Sequence, residues 1–194
     1  MERQAFELMK LAILFPGIGY HCDKPLLYYA RKLTVKYGYL IREVSYGSLP
    51  KNVKGDPEKM AECYRLGLAA AEAQLADVDW DACGEVLLIG KSIGTAIAAG
   101  FAAKHVPWAR SIWYTPLTET FRLIQGEGIA FHGTKDPWAE TPAVQQGCAE
   151  KGIPCYLTED ANHSLETGDV QTDLRNLRTV MERTEAYIAG SACR

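Results

Sequence analysis

The chain has 194 residues, of which 47% are hydrophobic and 23% charged, a composition typical of a folded globular domain and not of a disordered segment. Its formal net charge is −3 and its Lys and Arg residues are scattered, which excludes the basic face expected of a nucleic-acid-binding protein. The first apolar run, at 11–15, ends at Pro16-Gly17 and is too short for a signal segment or a membrane span. We therefore expect one cytoplasmic domain over residues 1–194, with no nucleic-acid or membrane partner.

Short apolar runs alternate with longer amphipathic stretches along the chain, which predicts repeated βαβ units. In chain order we predict a strand at 8–15, a helix at 24–37, a strand at 39–44, a helix at 57–75, a strand at 85–89, a helix at 95–104, a strand at 111–114, a helix at 118–125, a strand at 128–132, a helix at 139–150, a strand at 154–157 and a helix at 170–188. The expected architecture is a three-layer α/β/α sandwich around a mostly parallel sheet of about six strands.

The sequence Gly90-Lys91-Ser92-Ile93-Gly94 joins the buried strand at 85–89 to the helix that follows it. A serine on so sharp a turn has strained backbone angles, and small residues on either side of it avoid clashes. Ser92 is therefore a candidate nucleophile, with a small turn residue as the simpler interpretation. We expect Lys91 to be a solvated side chain that points away from Ser92, with an influence on the electrostatic field of the site as the alternative.

Two further candidates follow the last two predicted strands. Asp136 comes after the strand at 128–132, and His163 comes after the strand at 154–157. Because parallel strands bring their carboxyl ends to one edge of a sheet, we expect both side chains near Ser92. Asp160, three residues before His163, is the rival acid. The simpler interpretations are a turn-forming aspartate and a solvated loop histidine.

The order Ser92, Asp136, His163, each after a strand, resembles the α/β-hydrolase superfamily, and specifically its small members without a cap domain. The resemblance covers residues 8 to about 188. It implies that Ser92 is the nucleophile, that His163 is the general base, and that Asp136 orients the histidine. The connection between the strands at 111–114 and 128–132 is too short for the helical cap of many relatives, so we expect an open, shallow groove.

The resemblance also implies an oxyanion hole. The loop Pro16-Gly17-Ile18-Gly19 corresponds to the family's oxyanion loop, although many members have His where this chain has Pro16. The backbone N–H groups of Ile18 and Ile93 are the implied donors. Four residues are candidates for lining the pocket, namely Gly17, Tyr20, His21 and Trp138.

These residues predict a serine hydrolase that cleaves a small carboxylic ester or thioester through an acyl-enzyme, with no metal or organic cofactor. Amide hydrolysis and acyl transfer to an acceptor other than water need the same residues and stay open. A catalytically silent scaffold that serves as an interaction module is the alternative from another class. A sheet edge without the family's extra antiparallel strands could pair with a second chain, which leaves a homodimer open. Six cysteines lack zinc spacing and are expected to be reduced thiols, namely Cys22, Cys63, Cys83, Cys148, Cys155 and Cys193.

Overall fold

A computed structural model describes residues 8–190 of the chain, in which strands and helices alternate as predicted. The strands are β1 (Met9–Phe15), β2 (Leu40–Glu43), β3 (Cys83–Lys91), β4 (Arg110–Tyr114), β5 (Gly128–Gly133) and β6 (Cys155–Thr158). The helices are α1 (Pro25–Lys36), α2 (Pro57–Gln74), α3 (Ile93–His105), α4 (Thr120–Leu123), α5 (Thr141–Glu150) and α6 (Val170–Ile188), with a short 3₁₀ turn at Trp80–Ala82.

The six strands form one sheet in the order β2-β1-β3-β4-β5-β6, and every pairing is parallel. All strands therefore end at the same edge of the sheet, where the loops that follow β1, β3, β5 and β6 come together. No antiparallel strand joins the sheet within residues 8–190. The predicted three-layer α/β/α class and its parallel sheet are confirmed.

Side chains of the central strands alternate between two cores. Leu11, Ile13 and Phe15 of β1 belong to the core that also contains residues of α2, α3 and α5. Ala12 and Leu14 belong to the core shared with α1 and α6. Successive side chains of a strand point to opposite faces, so a strand that is apolar at every position must be covered by helices on both sides.

Helix α2 starts at a local capping residue, whereas α4 is shorter than the local sequence pattern predicts. The Asp56 carboxylate caps α2 by accepting a 3.0 Å hydrogen bond from the Lys59 N–H, and Pro57 occupies the first turn. The helix predicted at 118–125 is wrong in its length, because α4 spans only Thr120–Leu123. Ile124 is buried and extended, since the chain must leave the helix there to enter β5. Within residues 8–190, α4 is the only helix between β4 and β5, so no cap domain is inserted there.

The five cysteines within residues 8–190 are free thiols, and four of them are buried. Burial raises the pKa of the Cys22 thiol to about 12, so this group stays protonated at neutral pH. None of these five forms a disulfide within residues 8–190, and Cys193 lies outside the described residues. In the described range, no helix combines the length and the apolar character that a bilayer span would require.

Candidate active site

A continuous chain of hydrogen bonds joins the three candidate catalytic residues at the carboxyl edge of the sheet. His163 Nε2 lies 2.7 Å from Ser92 Oγ, and His163 Nδ1 lies 2.7 Å from Asp136 Oδ2. Because a carboxylate only accepts, the Nδ1–H donates to Asp136, and Nε2 of the neutral ring is left to accept from the Ser92 hydroxyl. The fold thus brings together three residues that are up to 71 positions apart in the sequence.

Ser92 lies on the sharp turn between β3 and α3 with φ 57° and ψ −126°, which is a strained conformation for a residue with a side chain. The turn is held by the Ser92 N–H, which donates to the Tyr114 carbonyl at 3.0 Å, and by the Thr95 hydroxyl, which donates to the Ser92 carbonyl at 2.6 Å. At Gly94 a Cβ would lie 2.1 Å from the Phe15 carbonyl oxygen, so the start of α3 packs directly on the end of β1. This close packing requires glycine and fixes the position of the nucleophile.

Asp136 is buried in the loop after β5. Its Oδ1 accepts a 2.9 Å hydrogen bond from the Trp138 N–H, while its Oδ2 accepts from His163. Burial raises the pKa of Asp136, but these hydrogen bonds and the charge of the His163 imidazolium outweigh it and hold the pKa below its usual value. The carboxylate is therefore ionised at neutral pH and can stabilise a positive charge on His163.

His132 lies behind Asp136, at the end of β5. Its Nδ1 is 3.8 Å from Asp136 Oδ2, and its Nε2 is 3.0 Å from the Thr141 hydroxyl oxygen. Burial lowers the pKa of His132, which favours the neutral ring. It belongs to the packing around Asp136.

The His163 imidazole is mostly buried, with 17% of its side chain exposed. Burial lowers its pKa, the positive charge of Lys91 acts in the same direction, and the hydrogen bond to Asp136 opposes both without reversing the shift. The ring is therefore neutral at neutral pH, which is the state that can accept a proton. The Trp138 ring lies beside it, with the two ring centroids 5.5 Å apart.

The loop after β1 forms a tight turn against the nucleophile. The Gly17 N–H donates to the Tyr20 carbonyl at 3.1 Å, and the Tyr20 N–H donates to the Gly17 carbonyl at 3.2 Å. A Cβ at Gly17 would lie 3.1 Å from the Ser92 Cβ, so the turn contacts the strand-to-helix turn at 90–94, which we call the elbow. The turn uses the N–H groups of Gly17 and Tyr20, and Ile18 stands at its tip with 41% of its surface exposed. Ile93 is the first residue of α3, a position whose N–H has no intrahelical acceptor.

The other pocket candidates occupy three different environments. Trp138, whose ring lies beside His163, lines an open cleft of about 400 Å³ together with Val53 and Leu117, whereas Ser92 and His163 do not line it. Lys54 Nζ lies 5.7 Å from the centroid of the Trp138 ring. Tyr20 is buried, and its hydroxyl accepts a 3.1 Å hydrogen bond from the Leu26 N–H. His21 is exposed, with its Nδ1 3.8 Å from an Asp23 carboxylate oxygen.

Lys91 departs from the sequence-based expectation. The prediction of a solvated side chain is wrong, because Lys91 is only 1% exposed and its Nζ lies 4.8 Å from the centroid of the Tyr20 ring. Strand alternation offered the missing signal: Leu87 and Ile89 face the core shared with α1 and α6, and Lys91 continues that series. The elbow thus has a buried ammonium group next to the nucleophile in the sequence.

Asp160, the rival acid, lies on the surface. Its Oδ1 is 2.8 Å from Lys135 Nζ, and both side chains are more than half exposed. His163 hydrogen-bonds to Asp136 and not to Asp160. Within residues 8–190, no group of three or more His, Cys, Asp or Glu side chains is arranged to hold a metal ion.

No protein-family model and no curated protein matches the sequence. Solved structures do match. A protein from Xanthomonas campestris assigned to the α/β-hydrolase superfamily is 18% identical over 89% of this chain and 96% of its own, with a TM-score of 0.63. Est1E from Butyrivibrio proteoclasticus with bound ferulic acid is 12% identical, with coverage of 97% and 91% and a TM-score of 0.66. An esterase from Pyrococcus furiosus is 15% identical, with coverage of 96% and 84% and a TM-score of 0.65. The chain therefore has the α/β-hydrolase fold.

Proposed function

We propose that the chain is a serine hydrolase that cleaves a small carboxylic ester or thioester through an acyl-enzyme on Ser92. The observation that carries this proposal is the pair of 2.7 Å hydrogen bonds from Ser92 through His163 to Asp136, on a strained turn at the sheet edge. A serine hydroxyl is a weak nucleophile without a base in hydrogen-bond reach, and here the base is in reach and neutral. Strain at Ser92 also supports a catalytic role over a passive turn.

In the first half-reaction, Ser92 Oγ attacks the substrate carbonyl carbon and its proton passes to His163 Nε2. The carbonyl oxygen takes the negative charge and accepts hydrogen bonds from the N–H groups of Ile18 and Ile93. Asp136 stabilises the imidazolium through Nδ1. The tetrahedral intermediate then collapses, the bond to the alcohol or thiol breaks, and the leaving group takes the proton from Nε2.

In the second half-reaction, water attacks the acyl carbon on Ser92 and gives a proton to His163. Collapse of this intermediate releases the carboxylic acid, and the proton returns from His163 to Ser92 Oγ. The two half-reactions use the same base and the same oxyanion donors, so no additional group is required.

The shape of the site supports a substrate of modest size. Through the Trp138 ring the site adjoins an open cleft of about 400 Å³, and within residues 8–190 only the short α4 lies between β4 and β5. The similarity to an esterase from Pyrococcus furiosus supports an ester as the first substrate class to test, and the ferulic acid bound to Est1E supports a carboxylic acyl group.

The test combines turnover of short-chain p-nitrophenyl esters with fluorophosphonate labelling of the wild type, Ser92→Ala and Ser164→Ala. Ser164 is the matched control, because it adjoins His163 in sequence but its hydroxyl is outside the hydrogen-bond chain. We expect turnover and labelling in the wild type and in Ser164→Ala, and neither in Ser92→Ala. A wild type that is folded but neither labels nor turns over any ester would contradict the proposal and favour a scaffold used for binding.

A further inference from the structure

A buried lysine without a partner carboxylate is an unusual feature in this molecule. Lys91 is only 1% exposed, yet among the described residues no Asp or Glu side chain lies within salt-bridge distance of it. Moving an ammonium group out of water is costly, and burial lowers the pKa of Lys91 to about 7. A methionine would fill the same space without that cost, so the charge itself calls for a functional explanation.

The contact that the structure gives the Lys91 ammonium is the face of the Tyr20 ring, 4.8 Å from the ring centroid. This distance is within the range in which a cation is attracted to an aromatic ring. Tyr20 in turn closes the two-hydrogen-bond turn with Gly17, and its hydroxyl is fixed to the Leu26 N–H at the start of α1. The ammonium therefore contacts the residue that holds the loop after β1 in place.

The same turn lies on the backbone of the elbow. A Cβ at Gly17 would be 3.1 Å from both the Lys91 carbonyl oxygen and the Ser92 Cβ. Lys91 thus touches the turn twice, through its backbone at Gly17 and through its ammonium at Tyr20. A loosened Tyr20 ring would free the turn that presents the Ile18 N–H to the substrate.

The charged groups around Lys91 belong to the catalytic edge. Asp136 and Glu166 favour its protonated form, whereas Lys24, whose Nζ lies 5.3 Å from the same Tyr20 ring, disfavours it. The Lys91 charge acts on His163 and favours its neutral form. Since the pKa of His163 lies below its usual value and that of Lys91 is about 7, Lys91 is still largely protonated at the pH where His163 titrates.

We propose that Lys91 is a positioning residue of this site: its ammonium holds the Gly17–Tyr20 turn against Ser92 through the Tyr20 ring, and its charge repels a proton from His163. This role rests on the proposed hydrolase function. It assigns Lys91 no bond to the substrate. Instead, Lys91 supports the oxyanion donor on one side and keeps the base in its proton-accepting state on the other.

The first experiment needs no turnover. The His163 imidazole is titrated by NMR with ¹³C-labelled histidine in the wild type and in Lys91→Met, which keeps most of the side-chain volume and removes its charge. We expect a higher His163 pKa in Lys91→Met. We also expect no loss of thermal stability, because the variant removes a buried charge that has no carboxylate partner. An unchanged or lower His163 pKa in a folded Lys91→Met would overturn the proposal.

The second experiment tests the link to the loop. Assays are run at a pH below 7 but above the lowered His163 pKa, where Lys91 is mostly protonated and His163 is neutral. There we expect Lys91→Met to lower kcat by about ten- to a hundredfold with little change in KM, because oxyanion contacts are made in the transition state and a complete donor is worth at least about a hundredfold. Tyr20→Leu removes the ring and should reproduce that loss. Tyr20→Phe keeps the ring face that Lys91 contacts and loses the hydrogen bond to the Leu26 N–H, so it should lose less of kcat than Tyr20→Leu. Wild-type kcat in a folded Tyr20→Leu would refute the role of the ring.

The two proposals fail in different ways. If the wild type hydrolyses no ester but the His163 pKa rises in Lys91→Met, the hydrolase function fails and the action of Lys91 on His163 stands. If the wild type is active and Lys91→Met keeps both its kcat and its His163 pKa, the function stands and the role of Lys91 is wrong.

Discussion

Replacing Asp136 by asparagine tests which acid orients His163, and the geometry gives the direction and scale of the effect. Asp136 Oδ1 is held by the Trp138 N–H, so the amide oxygen of the asparagine keeps that place and its NH₂ group faces His163 Nδ1. The NH₂ group can only donate, so Nδ1 must lose its hydrogen and the ring must carry it on Nε2. That tautomer cannot accept the Ser92 proton, and an equivalent change in a serine protease lowers kcat on the order of 10⁴-fold.

The assay is kcat/KM for a short p-nitrophenyl ester as a function of pH. Asp136 raises the pKa of His163 through its hydrogen bond and its charge, so Asp136→Asn should also move the acid limb of the remaining activity to lower pH. Asp160→Asn is the matched control, because Asp160 pairs with Lys135 on the surface. A loss of less than tenfold in Asp136→Asn, or a larger loss in Asp160→Asn, would refute this assignment of the acid.

Two further predictions concern the elbow and the base. Gly94→Ala places a methyl group 2.1 Å from the Phe15 carbonyl oxygen and 2.4 Å from that of Pro16. Because backbone atoms cannot move aside by changing rotamer, we expect Gly94→Ala to lower the free energy of unfolding by at least about 1–3 kcal/mol. This loss should lower Tm by about 2–4 °C per kcal/mol. A wild-type Tm would be inconsistent with this packing. In the wild type, burial and Lys91 hold the pKa of His163 below its usual value. Because the neutral ring is the active form, kcat/KM should fall only as the pH drops through this lowered pKa, and a midpoint above the ordinary histidine pKa would contradict the lowered value.

The sequence predicted the elements best where local and long-range preferences agree. The last helix was predicted at 170–188 and is found at Val170–Ile188. Its start is set locally, since the Asp169 side chain accepts a 2.8 Å hydrogen bond from the Thr172 N–H. The parallel sheet was also predictable, because apolar runs such as β3 need helices on both faces.

Predictions failed where tertiary packing overrode the local pattern. Residues 118–125 have a helical pattern, yet the chain leaves the helix at Ile124, whose side chain is buried in the core that also contains Ala130 of β5. The 3₁₀ turn at Trp80–Ala82 was not predicted, although Asp79 caps it through the Asp81 N–H. Lys91 was misplaced because the general preference of lysine for water was given more weight than its place in the strand alternation.

The candidate site was predictable in its residues but not in its distances. The order of Ser92, Asp136 and His163 along alternating strands is a property of the sequence, and parallel strands bring such loops to one edge. Whether His163 lies within 2.7 Å of both partners depends on the loops that follow β5 and β6, whose backbone paths have no simple sequence signature. The path of the loop after β5 also brings Asp136 back to within 3.8 Å of His132.

The position of β6 at the edge of the sheet has a consequence for how the molecule opens. Its four residues, Cys155–Thr158, pair only with β5, whereas the nine-residue β3 is paired on both sides and buried over most of its length. Amide protons of β6 should therefore exchange with solvent through openings that leave β3 intact. We therefore expect slow exchange in β3, which leads to the nucleophile, and faster exchange in β6, which leads to the loop of the base. Mild denaturant would then detach the base first, and catalysis would be lost while the central sheet is still folded.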